Sequence, residues 1–194
     1  MGISDRLLGL KTFASSWWYP WVVGMLSCVN TFTVVLSGPL VILYVAGVLA
    51  NGAKLQRRLT SAVANALGTT IGAAMLIALI EQKGVQSVTD AFPTIFASKS
   101  WERSKGLIED YGFLGTIGFS AMPIVLHPGV IFALTAGMNR ATILAAVMIG
   151  RTIKYTVMAQ LAVGAPHLLR FFGHRGEAKI TGAAPASRKT PKAD

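Results

Sequence analysis

The stretch SAMPIVLHPGVIFALTAG, residues 120–137, decides how this chain is read. It lies in the interval 111–138, which holds no Lys, Arg, Asp or Glu and so has the composition of a membrane span. Yet Pro123 and Pro128 stand within it, with His127 between them and Gly137 at the end. Each proline lacks the N–H that continues a helical ladder. The pattern predicts two helical pieces separated by a break, and leaves two arrangements open: a re-entrant hairpin or a kinked full-length span.

The rest of the chain has the same character. Of 194 residues, 53% are hydrophobic and 13% charged, which excludes an ordinary soluble domain and predicts an all-α integral membrane protein of one domain. The net charge of +10 sits beside apolar runs, as expected for contacts with anionic lipid headgroups, and nucleic acid is not expected as a partner. A single Cys28 excludes an intrachain disulfide and a thiolate zinc site.

Between Lys11 and Lys54 lie 42 uncharged positions. As one helix they would measure about 60 Å, twice the hydrocarbon thickness, so a break is required. SGPL, at 37–40, supplies it through Gly38 and Pro39, with Thr31, Thr33 and Ser37 near enough to satisfy freed backbone groups. Lys54, Arg57 and Arg58 follow as a basic cluster, expected to touch lipid, and then 59–80 gives 22 uncharged residues, a plain span. Residues 81–110 hold four basic and five acidic residues and read as an extramembrane loop ending in an interfacial amphipathic helix over about 101–110. A span over 141–165 comes after the broken run. The ends read as an interfacial segment over 1–18, with Trp17, Trp18 and Tyr19 as an aromatic belt, and a basic tail over 167–194 whose end has a disordered composition.

An internal repeat organises these pieces. GPLVILYVAG (38–47) matches HPGVIFALTAG (127–137): both start at a proline, run through aliphatics with one aromatic, and finish in Ala-Gly, at Gly47 and Gly137. The spans that follow match too, with Gly68 opposite Gly150 and a shared Thr-Ile two residues on. Repeat one covers about 30–80 and repeat two about 111–165, together making a transmembrane domain over 19–166 with at least two to three full spans. If both broken segments are re-entrant, the cluster at 54–58 and the basic tail share one face and the loop 81–110 lies on the other. The positive-inside rule prefers that arrangement, with the basic face cytoplasmic or on a matrix side.

Arg151 and Lys154 stand inside the last span, at a cost of about 3 kcal/mol each near the bilayer centre, and their i,i+3 spacing puts them on one helix face. No acidic residue lies in any apolar run to pair with them. They are candidate contacts to a phosphate or lipid headgroup; snorkelling, or bonding to carbonyls freed by the broken helices, is the alternative. His127 joins them as a candidate, against a plain hydrogen-bonded role at a turn. Asn30, Asn65 and Gln160 are expected as interhelical hydrogen-bond partners. His127, His167 and His174 lack metal-ligand spacing, no nucleophile has a base and an orienting acid, and no phosphate-cradling loop occurs; no enzyme activity, metal or cofactor is expected.

The segment YGFLGTIGFSAMPIVLHPGVIFALTAGMNRATILAAVMIGRTIKY (111–155), with SGPLVILYVAGVLANG and ALGTTIG in the first copy, resembles the DedA family, also called the VTT-domain or SNARE-associated Golgi protein family. The resemblance covers about 30–165. It implies an inverted repeat with two opposed re-entrant hairpins and a role in moving phospholipids or polyprenyl-phosphate carriers, with proton coupling in bacteria. This chain departs from the pattern in two places. Ala73 stands where the family has Asp, and no Arg lies between Arg103 and Arg140, where the family has arginines flanking the second proline motif. Two functions are therefore expected as competitors: a lipid transporter or scramblase, and a non-transporting subunit of a larger membrane complex. Membrane lipids are the expected partners, with a homo-oligomer or a larger assembly compatible. A bacterial plasma membrane and an organellar membrane such as the mitochondrial inner membrane both fit.

Overall fold

The computed structural model describes residues 13–33, 36–51, 55–91, 99–123 and 125–164, and among these the only regular elements are helices. They are α1 (Tyr19–Thr33), α2 (Ser37–Ala50), α3 (Leu55–Ala91), α4 (Lys99–Ala121), α5 (His127–Thr135) and α6 (Arg140–Gly164). Lys54, the tail 167–194 and most of the N-terminal segment lie outside the described residues.

Length separates the helices into two kinds. Two are long and apolar enough to cross a membrane, within Leu55–Gln86 and Arg140–Gly164. By contrast α1, α2 and α5 have 15, 14 and 9 residues, and at 1.5 Å per residue each falls short of a 30 Å hydrocarbon layer. Glycines set the limits of the continuous pieces. Gly84 (φ 80°) breaks α3 and Gly112 (φ 52°) breaks α4, both in a conformation that costs other residues a steric clash. The expected loop at 81–110 is thus largely helical: a helix persists beyond Gly84 to Ala91 and another runs from Lys99 to the Gly112 break. Charged residues are good helix formers and carry no signal against helix, and the membrane-length piece of α3 itself extends to Gln86.

The short helices double back. Tyr19, the first residue of α1, donates its hydroxyl to the Leu43 carbonyl at 2.7 Å, and its ring covers Gly47 late in α2. Were α1 and α2 collinear, these residues would lie tens of ångströms apart. At the same end, Asn51 donates to the Ala14 carbonyl (3.0 Å) and Arg57 donates to the Ser15 carbonyl and to Asn51 Oδ1. In the second half Gly129 sits under the Phe119 ring, while further along α5 Phe132 meets Trp101 edge-on at 5.6 Å. There Arg140 pairs with Glu81 at 3.0 Å, in the last turns of α3 before its break.

Helix α3 packs against α1 and α6, and α6 packs against α4; α2 reaches across to α6, and α5 reaches across to α3. Close approach requires glycine at the α1–α3 and α4–α6 crossings. A Cβ on Gly68 would strike the Gly24 carbonyl of α1, and one on Gly150 would strike Ile117 O and Ser120 of α4. A buried bond from Ser27 Oγ to Asn65 Oδ1 (2.7 Å) fastens α1 to α3, the interhelical role expected of Asn65; Gln160 instead is exposed.

Two apolar cores result. One joins Tyr19, Tyr44 and Val48 to Met158 and Ala162 of α6. The other joins Leu76, Ile77 and Ile80 of α3 to Phe119, Ile131 and Val147. Outside them, Leu55, Leu59, Val63, Leu67, Ile71 and Met75 form an exposed stripe down α3, about 30 Å long at helical rise. Ile149, Ile153 and Val157 form a shorter exposed run on α6, and Trp21, Met25 and Val29 one on α1. Apolar surface of this extent is foreign to a soluble monomer and has the height of a bilayer core.

Candidate functional site

The prolines occupy different positions from one half to the other. Pro39 lies in the first turn of α2, exposed together with Gly38. Pro123 is exposed in the bend after α4, whereas Pro128 is in the first turn of α5 and buried. Prolines thus begin the second helix of each pair, where a missing N–H costs nothing. Gly137 has φ 80° and follows the end of α5, whereas α2 continues through Gly47 to Ala50, and Gly47 there admits the Tyr19 ring.

His127 opens α5 and is 3% exposed. Its Nε2 donates to the carbonyl of Thr31 in the last turn of α1, one of the carbonyls a helix end leaves without an intrahelical donor. The Thr31 hydroxyl is turned back to the Ser27 carbonyl at 3.2 Å. This contact joins the two breaks in the chain, 96 residues apart, inside the protein.

Arg151 lies on α6 between the two apolar cores and is 5% exposed. Among the described residues it makes no ion pair, and its buried Nε has no hydrogen-bond partner. The sequence explains this: the chain has eight carboxylate residues, and none falls in 59–80 or 111–164. Arg151 is within electrostatic range of His127, Lys154 and Tyr155. Lys154 is half-buried, its Nζ 5.6 Å from the centre of the Tyr155 ring. Tyr155 stacks at 5.1 Å on Tyr44 of α2, whose hydroxyl donates to the Tyr155 carbonyl at 2.7 Å. Arg151 and Lys154 thus lie near the middle of α6, and His127 is near enough to Arg151 to feel its charge. Arg57, from the basic cluster, directs its guanidinium to protein groups, and Arg58 is half-buried.

Sequence reasoning gave no role to Tyr44, Tyr155 or Ser120, and named Thr31 for its hydroxyl, whereas it is the Thr31 carbonyl that meets His127. The Ser120 side chain packs on Gly150 and is fully buried, with its hydroxyl unpartnered. Nothing in a run of apolar and small residues separates such a serine from its neighbours; only the fold does. No group of His, Cys, Asp and Glu among the described residues is placed to hold a metal ion. What the arrangement can do is receive negative charge: a buried cation without a counterion, with donors beside it, is complementary to an anion. No family model, curated protein or solved structure matches the chain.

Proposed function

We propose that this chain is a multi-pass integral membrane protein of divergent DedA type, in which two opposed re-entrant hairpins present an anion site to the headgroup of a membrane lipid and let it pass between leaflets. The observation that carries the reading is Arg151, a buried guanidinium in a membrane-length helix with no carboxylate among the described residues to neutralise it. Such a charge is retained at a cost that a bound anionic headgroup offsets. Lys154 and His127 flank it.

The topology is supported by the contacts. The open ends of the α1–α2 pair lie at the start of α3, beside Arg57, and those of the α4–α5 pair lie at its far end, beside Glu81. Exchanging α1, α2 and α3 for α4, α5 and α6 reproduces the pattern of helix neighbours, as an inverted repeat requires. On this reading the Arg57 side faces the cytoplasm or matrix. Ala73 is fully buried in an apolar cluster, so the place of the family's coupling acid is filled and exchange is passive.

Reconstitution into liposomes carrying a fluorescent anionic phospholipid tests this. Faster leaflet exchange with the protein, lost in Arg151→Gln, is expected; equal exchange with and without protein would sink it. One observation favours the second reading, a structural subunit: the tip of the second hairpin is filled, with His127, Pro128, Gly129, Val130 and Ile131 all buried. Native mass spectrometry of gently solubilised membranes separates the two, since a lone monomer or homodimer contradicts the subunit reading.

A further inference from the structure

We propose that Ser120 is the second ligand of the anion site, and that Ser120 and Arg151 together hold one phosphate-class oxyanion at the tip of the α4–α5 hairpin. The inference rests on the anion-site reading above and adds a residue and a ligand geometry to it.

Two buried polar groups without partners lie on neighbouring parts of this tip, Ser120 against Gly150 and Arg151 next to Gly150 in the chain. Ser120 is 0% exposed and its Oγ has no hydrogen bond; Arg151 is 5% exposed and its Nε has none. They are adjacent through Gly150: the Ser120 Cβ lies 2.6 Å from where a Cβ on Gly150 would stand, and Arg151 is the next residue. Buried polar groups in folded proteins are nearly always bonded, so two exceptions on either side of the α4–α6 crossing at Gly150 point to something that completes both. A guanidinium only donates, and a hydroxyl donates or accepts. The complement of the pair is therefore an acceptor. A water molecule would meet the hydrogen bonds yet leave the positive charge uncompensated in a segment without carboxylates. An oxyanion meets both needs, with two oxygens on the guanidinium fork and a third on the hydroxyl. The first turn of α5 begins across the break from Ser120, and Leu126 at its N-cap supplies no side-chain bond to its N–H groups.

The oxyanion could belong to a lipid headgroup or to free phosphate, and one experiment separates them. The full chain in nanodiscs of zwitterionic lipid is titrated with inorganic phosphate in one arm and with increasing phosphatidylglycerol in the other, following its thermal midpoint. Wild type should show a saturable rise: in the phosphate arm if the free ion binds, in the lipid arm alone if the headgroup does. Ser120→Ala should weaken the apparent affinity about tenfold, the scale of one charge-assisted hydrogen bond, and Ser120→Thr should largely restore it. If Ser120→Ala titrates like wild type while Arg151→Gln abolishes the rise, the inference fails and the anion site stands. If wild type shows no saturable rise in either arm, both fail. Should Ser120→Ala not fold, Ser120→Cys, which keeps the volume and donates weakly, carries the same comparison.

Discussion

The two proline-bearing tips start from similar sequence and end in opposite environments. Gly38 and Pro39 are exposed at the first; His127, Pro128 and Gly129 are buried at the second. The first tip's helix α2 is long and anchored far from its start, through Tyr44 on Tyr155 and Gly47 under Tyr19. The second tip's helix α5 is short and is anchored at its start, where His127 bonds the end of α1. Similar sequence therefore accompanies a break and a fold-back in both places, and the neighbours decide whether a tip is exposed or buried. Only the buried tip stands next to an unpaired charge.

Substitutions that attack the shared framework should have the largest effects and should not distinguish the halves. Gly68→Leu and Gly150→Leu each force apart a backbone crossing, and each should destabilise the protein by about 3 kcal/mol or prevent folding, read from thermal unfolding in detergent. A large effect at only one of them would break the equivalence.

Substitution at the tips should separate them. His127→Ala removes a buried bond and leaves a gap, with an expected cost of about 2 kcal/mol, while Pro39→Ala, at an exposed position, should stay within about 0.5 kcal/mol of wild type. Equal costs would show that the tips are alike after all. Arg151→Leu tests the charge at the buried tip from the other side. Without anionic lipid it should raise stability by about 1 to 3 kcal/mol, because an unpaired buried charge is replaced by an apolar side chain, and it should abolish headgroup exchange. Destabilisation in zwitterionic lipid would mean the guanidinium is structurally bonded. The smallest effect belongs to Glu81→Gln, whose exposed pair with Arg140 should be worth less than about 1 kcal/mol.

How far sequence reaches is visible in particular residues. An uncharged interval located the core of α3, and a long, mostly apolar run located α6 in spite of Arg151 and Lys154, since length and composition alone identify a helix that can cross a bilayer. The prolines located both breaks. Arg151, Lys154 and His127 were conspicuous because charge and imidazole are rare in apolar runs, and the fold brings His127 near enough to Arg151 to feel its charge. Ser120 and Tyr44 were illegible, because their importance comes from partners 30 to 111 positions away or from having no partner at all. Gly47 meets the same limit: a glycine that admits a ring from another helix has the same local signature as one that ends a helix.

The opposed placement of the two helix pairs is tested most directly by the sidedness of their open ends. In a Cys28→Ala background, single cysteines are introduced one at a time as Trp17→Cys, Gln56→Cys, Lys83→Cys and Asn139→Cys, all at exposed positions, and sealed vesicles of known orientation are treated with a membrane-impermeant thiol reagent. The account predicts that positions 17 and 56 label from one side and positions 83 and 139 from the other. Labelling of 17 and 56 from opposite sides would show that the first pair crosses the membrane as a kinked span and would contradict it.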